Sequence, residues 1–178
     1  MLDTSCTLKG QTSNGADVEI HESDLGVLWQ FAGWDGFGEA LAGLLSPLGI
    51  KAADDMRTST RGSGLSLWRI APDKVLIAGN EPSASLAAIE TGPDVVGLDL
   101  THARIKIRIE GAGAPDLLTR LVPVDVSLAS FPNGSFVQTG MHHVGVLIDR
   151  ISDTCFEILV PRTWSCSLID LMRVHLVT

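Results

Sequence analysis

The residues whose types could do chemistry are a glycine-rich turn, a histidine pair, three cysteines and a serine set between glycines. Gly111-Ala112-Gly113-Ala114-Pro115-Asp116 follows a strand-like run and opens a helical one, the setting in which helix N-terminal amides hold a pyrophosphate. The third glycine of that fingerprint is replaced by Asp116, whose carboxylate satisfies the helix dipole and repels phosphate. The segment therefore reads as a tight turn with Pro and Asp starting a helix. His142 and His143 adjoin Met141 just before a strand, and neutral imidazole binds zinc or copper. Adjacent strand positions face opposite sides, and no further ligand stands at ligand spacing, so the pair reads as turn or interface residues. Cys6, Cys155 and Cys166 cannot all pair within the chain and form no CxxC. Cys155 and Cys166 fall in elements expected to be buried, where a thiol's pKa rises and its reactivity falls. Gly62-Ser63-Gly64-Leu65-Ser66 lacks the glycine that a serine elbow needs two residues after Ser66. Trp29, Trp34, Trp68 and Trp164 suit core or interface anchoring, Trp34 being placed in an exposed glycine turn. Arg104, Arg108 and Arg162 read as ordinary surface ion-pair partners. No catalytic, cofactor-binding or metal-ligating residue is assigned.

The elements that would position such residues belong to a chain of 178 residues with mean hydropathy +0.26. That size fits one domain or two small halves, burying roughly 70% of the unfolded surface. No apolar run approaches the roughly 20 residues that span a bilayer, so the apolar surplus is expected in a core and in a subunit interface. With 21 acidic against 13 basic residues and net charge −8, the chain repels phosphate backbones; neither nucleic acid nor membrane is an expected partner. Residues 1–10 lack the basic and apolar regions of a signal peptide, and a cytoplasmic location is expected.

Residues 1–24 show no sustained periodicity and are expected to be an irregular N-terminal segment. A strand is predicted over 25–31, then a turn at Gly33, Gly36 and Gly38, then a helix carrying Leu41, Leu44, Leu45 and Leu48 and ended by Gly49. A polar connection over 52–62 leads to a hairpin, 65–70 and 75–78, turning at Ala71-Pro72-Asp73; Pro82 opens a short helix through Leu86 and Ile89. The order then repeats: a strand over 104–110, a turn at Gly111 and Gly113, and a helix with Leu117, Leu118 and Leu121 stopped by Pro123. Strands follow near Phe136, over 144–151 and over 156–160, and a last helix carries Trp164, Leu168, Leu171 and His175 on one face. Arg69, Ile70, Asp73 and Leu86 echo Arg150, Ile151, Asp153 and Leu168, and Gly33 echoes Gly111. The pattern predicts an α+β fold of duplicated strand-helix-strand-strand-helix units: a single domain over 25–178 made of two pseudo-repeats, about 25–92 and 95–176.

Asp99-Leu100-Thr101-His102-Ala103-Arg104, Gly111, Leu118, Pro123-Val124-Asp125, Phe131-Pro132-Asn133-Gly134, Gln138-Thr139 and Phe156-Glu157-Ile158-Leu159-Val160-Pro161-Arg162, with the hairpin from Trp68 to Ile77, together resemble the gamma subunit of heterotetrameric sarcosine oxidase. The resemblance covers about residues 25–175 and implies a fold like the folate-binding domain of aminomethyltransferases. It implies a noncatalytic subunit of a complex that oxidises sarcosine to glycine, with larger flavoprotein subunits and a small zinc-binding subunit as partners. FAD, FMN, NAD and tetrahydrofolate are implied for those partners and none for this chain. Aminomethyltransferases resemble one another in a Gly-Gly-x-x-Asp-Asp segment, one carboxylate of which acts on the folate amine; aligned on the 156–160 strand, this chain has Val144-Gly145 there. The alternatives are a folate-dependent aminomethyltransferase-like enzyme and the small subunit of a related N-methyl amino acid dehydrogenase. The tRNA-modifying folate-binding relatives are disfavoured, since the chain has no tyrosine for their Lys-Gly-Cys-Tyr type motif.

Overall fold

The computed structural model describes residues 7–23, 25–80 and 94–177. In chain order the strands are β1 Thr7–Gln11, β2 Asp17–Ser23, β3 Val27–Gly33, β4 Thr60–Gly62, β5 Leu65–Ala71, β6 Lys74–Gly79, β7 Val95–Asp99, β8 Arg104–Glu110, β9 Phe136–Met141, β10 Val144–Ser152 and β11 Cys155–Pro161. The helices are α1 Phe37–Leu45, α2 Ala114–Leu121 and α3 Ser165–Val174. Among the described residues no helix is long and apolar enough to cross a membrane. Cys6 and the helix expected after Pro82 lie outside the described residues.

The chain divides into two compact units, residues 1–24 with 104–178 and residues 25–103, in place of the expected single domain. The first is built on a six-stranded antiparallel sheet, β1-β2-β8-β11-β10-β9. Alternation dictates its inner face: Ile105, Ile107 and Ile109 of β8 and Phe156, Ile158 and Val160 of β11 are buried with Leu117, Leu118 and Leu121 of α2 and Leu168, Ile169 and Met172 of α3. Residues 7–23 are not the irregular segment expected. Val18 and Ile20 of β2 enter the same core, β2 pairs with β8, and β1 pairs with β2. Only two residues of the seven in β2 alternate into the core, too few for sequence periodicity to register. The last helix is rotated from the expected face: Leu168, Ile169 and Met172 are buried, while Trp164, in a 3-10 turn before α3, is half-exposed.

The second unit is a five-stranded antiparallel sheet, β4-β5-β6-β3-β7. Phe31, Leu67, Val75 and Ile77 pack with Phe37, Leu41 and Leu45 of α1 on one face. A 3-10 turn over Ser46–Leu48 follows α1 and ends at Gly49, whose φ of 66° is left-handed, as its place after the helix predicts. On the opposite face Leu28, Trp68 and Leu76 are also buried.

The same devices recur in each unit. Gly33 N–H donates to Asp73 O in the β5–β6 turn at 3.0 Å, and Gly111 N–H to Thr154 O in the β10–β11 turn at 3.0 Å. Both hairpins bulge just before the turn, between Arg69 and Ala71 and between Arg150 and Ser152. Both arginines brace those turns, Arg69 donating to Pro72 O and Arg150 to Asp153 O, each at 2.7 Å. β7, which precedes β8 in the chain, pairs with β3, while β2, which precedes β3, pairs with β8. The expected boundary near 92–95 therefore does not separate the two sheets.

Candidate functional site

The turn from β8 into α2 is closed to a phosphate. Gly111 has φ of 116°, and a Cβ there would stand 2.4 Å from Asp17 O. Gly113 N–H already donates to Asp17 O, and a Cβ at Gly113 would meet Ala16 O and Val18 Cγ2 at 2.7 Å. Asp116 pairs with Arg120 one turn on at 3.0 Å. The chain leading into β2 thus lies against the helix start, and Gly111 to Pro115 form a tight turn into α2.

The richest polar cluster among the described residues lies on the face of the six-stranded sheet opposite α2 and α3, on residues that sequence reasoning had placed partly in the irregular segment. Glu19 of β2 and Glu110 of β8 are directly opposed in register, and His21 stands opposite Arg108. His21 Nε2 is 3.2 Å from Glu19 Oε1 and 3.5 Å from Glu110 Oε1, and its Nδ1 is 3.3 Å from Thr7 Oγ1. Glu19, His21 and Glu110 each bring one ligand atom within 4.8 Å of the others. Both carboxylates nevertheless hold a cation of their own. Lys9 Nζ is 2.8 Å from Glu19, and Arg108 Nε is 2.9 Å from Glu110. Arg108 Nη1 at 3.4 Å and Lys106 Nζ at 3.6 Å also flank Glu157. Three carboxylates thus meet three permanent cations. The Lys9 hydrogen bond holds the Glu19 carboxyl below its ordinary value, and the Glu110 hydrogen bond raises Arg108 above its own. A metal ion would have to displace these partners, so the cluster fits a neutralised ion-pair lattice better than a metal centre. A groove of about 710 Å³ runs beside it, lined by Lys9, Asp17, Glu19, Glu110, Gly111 and Val177.

The remaining candidates fall in separate places. His142 and His143 are the two-residue turn between Met141 and Val144, both at positive φ of 46° and 69°, a hairpin conformation that non-glycine residues adopt infrequently. Their ring centroids are 5.6 Å apart. Ser63 and Gly64 form the matching turn between β4 and β5, with φ of 53° and 75°, which accounts for the serine between glycines. Cys155 is buried as expected, but Cys166 is exposed, because α3 turns Ser165 and Ile169 inward instead. Trp68 is fully buried, Trp29 stacks on Phe31 at 6.1 Å between centroids, and Trp34 is 67% exposed. Phe37 beside it is buried, so the exposed apolar surface at this turn is Trp34 alone. Arg104 donates to Leu159 O at 3.4 Å, and burial holds its pKa below the ordinary arginine value; no ion pair with a described residue satisfies the expectation for it. Val144 and Gly145 begin β10, where Val144 enters the core and a Cβ on Gly145 would meet nothing within 4 Å. Asp149, farther along β10, is fully buried.

No family model matches the chain, and no curated protein matches it. Among solved structures it is similar to a chain of heterotetrameric sarcosine oxidase from Corynebacterium sp. U-96, solved in complex with pyrrole 2-carboxylate. The TM-score is 0.79 at 21% identity, covering 91% of this chain and 87% of that one. It is also similar to glycine cleavage system aminomethyltransferase T from Bartonella henselae, with TM-score 0.61 and 16% identity over 85% of this chain and 44% of that one. The chain therefore has an α+β fold of two antiparallel sheets, shared with a chain of that sarcosine oxidase and with part of the aminomethyltransferase.

Proposed function

We propose that the chain is a noncatalytic gamma-type subunit of a heterotetrameric sarcosine oxidase complex, in which larger flavin-binding chains demethylate sarcosine oxidatively to glycine. The observation that carries this reading is reciprocal coverage. The fold match takes in 91% of this chain and 87% of the oxidase chain, but only 44% of the aminomethyltransferase. A chain equivalent to nearly the whole of one subunit is expected to do that subunit's work. The site chemistry supports the same reading. On the resemblance, Val144 and Gly145 take the positions of the transferase carboxylates, and the acids Glu19, Glu110 and Glu157 are matched by Lys9, Lys106 and Arg108.

On this reading FAD, FMN, NAD and tetrahydrofolate reside in the partner chains, a small zinc-binding subunit completes the assembly, and this chain holds none of these groups. The recurrent bulge, arginine brace and glycine turn support descent of both halves from one duplicated strand-helix-strand-strand-helix unit. A second reading, a folate-dependent one-carbon transferase, draws on the fully buried Asp149 as a displaced acid. The discriminating experiment is co-expression with the large flavoprotein chains of a sarcosine oxidase from the same source, followed by purification through a tag on this chain. The expected result is a stoichiometric complex that consumes sarcosine. Flavoprotein chains that assemble and turn over fully without this chain would overturn the proposal.

A further inference from the structure

The two sheets have four end strands, and three of them are protected. Gln11 of β1 exchanges backbone hydrogen bonds of 2.9 and 2.7 Å with Val177. β4 is three residues long and carries Arg61. On β9 the exposed residues are Gln138 and Gly140, which present no apolar side chain. β7 differs. Its sequence Val95-Val96-Gly97-Leu98-Asp99 contains no proline, lysine or arginine, and Val96 and Leu98 are 52% and 53% exposed. Short length, charge, proline and covering segments are the usual means of blunting an edge; β7 has only Asp99 at its end.

The register fixes which backbone groups are available. Leu100 N–H donates to Leu28 O at 2.8 Å and Trp34 N–H to Asp94 O at 3.3 Å, bracketing the β3–β7 pairing. In an antiparallel ladder alternate residues turn their N–H and C=O to one side, so Val96 and Leu98 bond to β3 while Val95, Gly97 and Asp99 direct theirs outward. No described strand pairs with that side. The side chains of Val96 and Leu98 continue, at the rim, the sheet face on which Leu28, Leu76 and Trp68 are buried, and the exposed Trp34 stands beside the start of β7. The ends are acidic: Asp94, Asp99 and Asp35 are all exposed.

We propose that the outer edge of β7 receives an extended segment of a partner chain as a sixth strand, with apolar residues at alternate positions and Lys or Arg at its ends. Main-chain bonds would run to Val95, Gly97 and Asp99, the apolar side chains would cover Val96 and Leu98, and the basic ends would meet Asp94 and Asp99. A second copy of this chain fits less well. Symmetric pairing about Gly97 would gather Asp94 and Asp99 of both copies on molecules of net charge −8. The proposal rests on the assembly reading and names the surface that assembly would use.

The test is amide hydrogen exchange on the chain alone and on the complex retained by tagged chain from its own cells, with Val96→Thr/Leu98→Thr as the variant. The expected result is exchange at Val95, Gly97 and Asp99 slowed by about 100-fold in the complex only. The variant should fold unchanged yet bind about tenfold more weakly, since both side chains are exposed in the free chain. A complex that forms with these amides still exchanging freely would overturn the docking surface and leave the subunit reading intact. Absence of any complex would overturn both. Protection that appears in the chain alone as its concentration rises would replace the partner strand by a second copy.

Discussion

Replacing Arg150 by methionine removes a buried side chain that donates four hydrogen bonds to backbone carbonyls. Arg150 is 1% exposed; its Nη1 donates to Val126 O at 2.7 Å and Phe131 O at 2.9 Å, its Nη2 to Asp153 O at 2.7 Å and its Nε to Ser152 O at 3.2 Å. The guanidinium also lies 4.7 Å from the centre of the Phe156 ring. Methionine keeps most of the stem's packing but donates nothing, so the two buried carbonyls in the loop between α2 and β9 lose their donor. Each orphaned buried carbonyl costs about 1–3 kcal/mol, and relief of a buried charge offsets part of that loss. Burial already holds the Arg150 pKa below the ordinary arginine value, the direction expected of a desolvated cation. The net expectation is a loss of about 3 kcal/mol, which at an m-value of about 2 kcal/mol/M moves the urea midpoint down by about 1.5 M. Arg150→Lys should recover less than half, because one ammonium cannot span carbonyls on both sides of the side chain. Circular dichroism in urea reads both variants. Arg69→Met, which removes one exposed bond to Pro72 O, serves as the matched comparison at about 1 kcal/mol. A midpoint shift below about 0.3 M for Arg150→Met, or full rescue by lysine, would refute the reasoning.

Gly111→Ala should cost about 2–4 kcal/mol, since it combines positive φ with a Cβ 2.4 Å from Asp17 O, whereas Gly145→Ala has open space and should change stability by less than about 1 kcal/mol; thermal unfolding compares them. Replacing His142-His143 by Asn-Gly should stabilise the β9–β10 hairpin by about 1 kcal/mol, because both positions have positive φ; a lower melting temperature would contradict that account. Asp125 accepts from Ser130 Oγ at 2.6 Å and from Ser127 N–H at 2.9 Å, bonds that hold its carboxyl below the ordinary 3.8. A depressed folded-state pKa gives stability that is present above the ordinary value and lost as pH falls through the lower folded one. Asp125→Asn should therefore flatten the stability profile below about pH 4.

The regular part of the larger unit was legible because its burial pattern and its sequence pattern coincide. Ile105, Ile107 and Ile109 alternate into the core, and β8 spans the predicted 104–110. The β10–β11 hairpin was marked by Ser152 and Asp153 between two long apolar runs, and Pro123 stopped α2 at Leu121. β1 and β2 escaped notice because their outward residues are polar and only Val18 and Ile20 are fully buried within β2; β2 is held by pairing with β8, far away in sequence, and β1 by pairing with β2. For the same reason the ion-pair lattice of Glu19, His21, Arg108 and Glu110 had no local signal: register across two distant strands creates it. α3 was misjudged by rotation, since Trp164, Leu168 and Leu171 and the true stripe of Leu168, Ile169 and Met172 both have helical spacing. Packing, not periodicity, selects between interleaved stripes, and that choice exposes Cys166.

The central claim is that this chain contributes structure and no chemistry of its own. The measurement that tests it most directly is tetrahydrofolate-dependent formation of methylenetetrahydrofolate from sarcosine, with an added two-electron acceptor to take up the electrons of the methyl oxidation, by the purified chain, alone and then with the proposed flavoprotein partners. If Val144 and Gly145 replace the carboxylates of the transferases, as the resemblance implies, the account predicts no turnover by the chain alone and turnover only by the assembled complex, since losing a general acid or base costs about 10² to 10⁴ in rate. Turnover by the isolated chain that disappears in Asp149→Asn, with the fold intact by circular dichroism, would contradict the account.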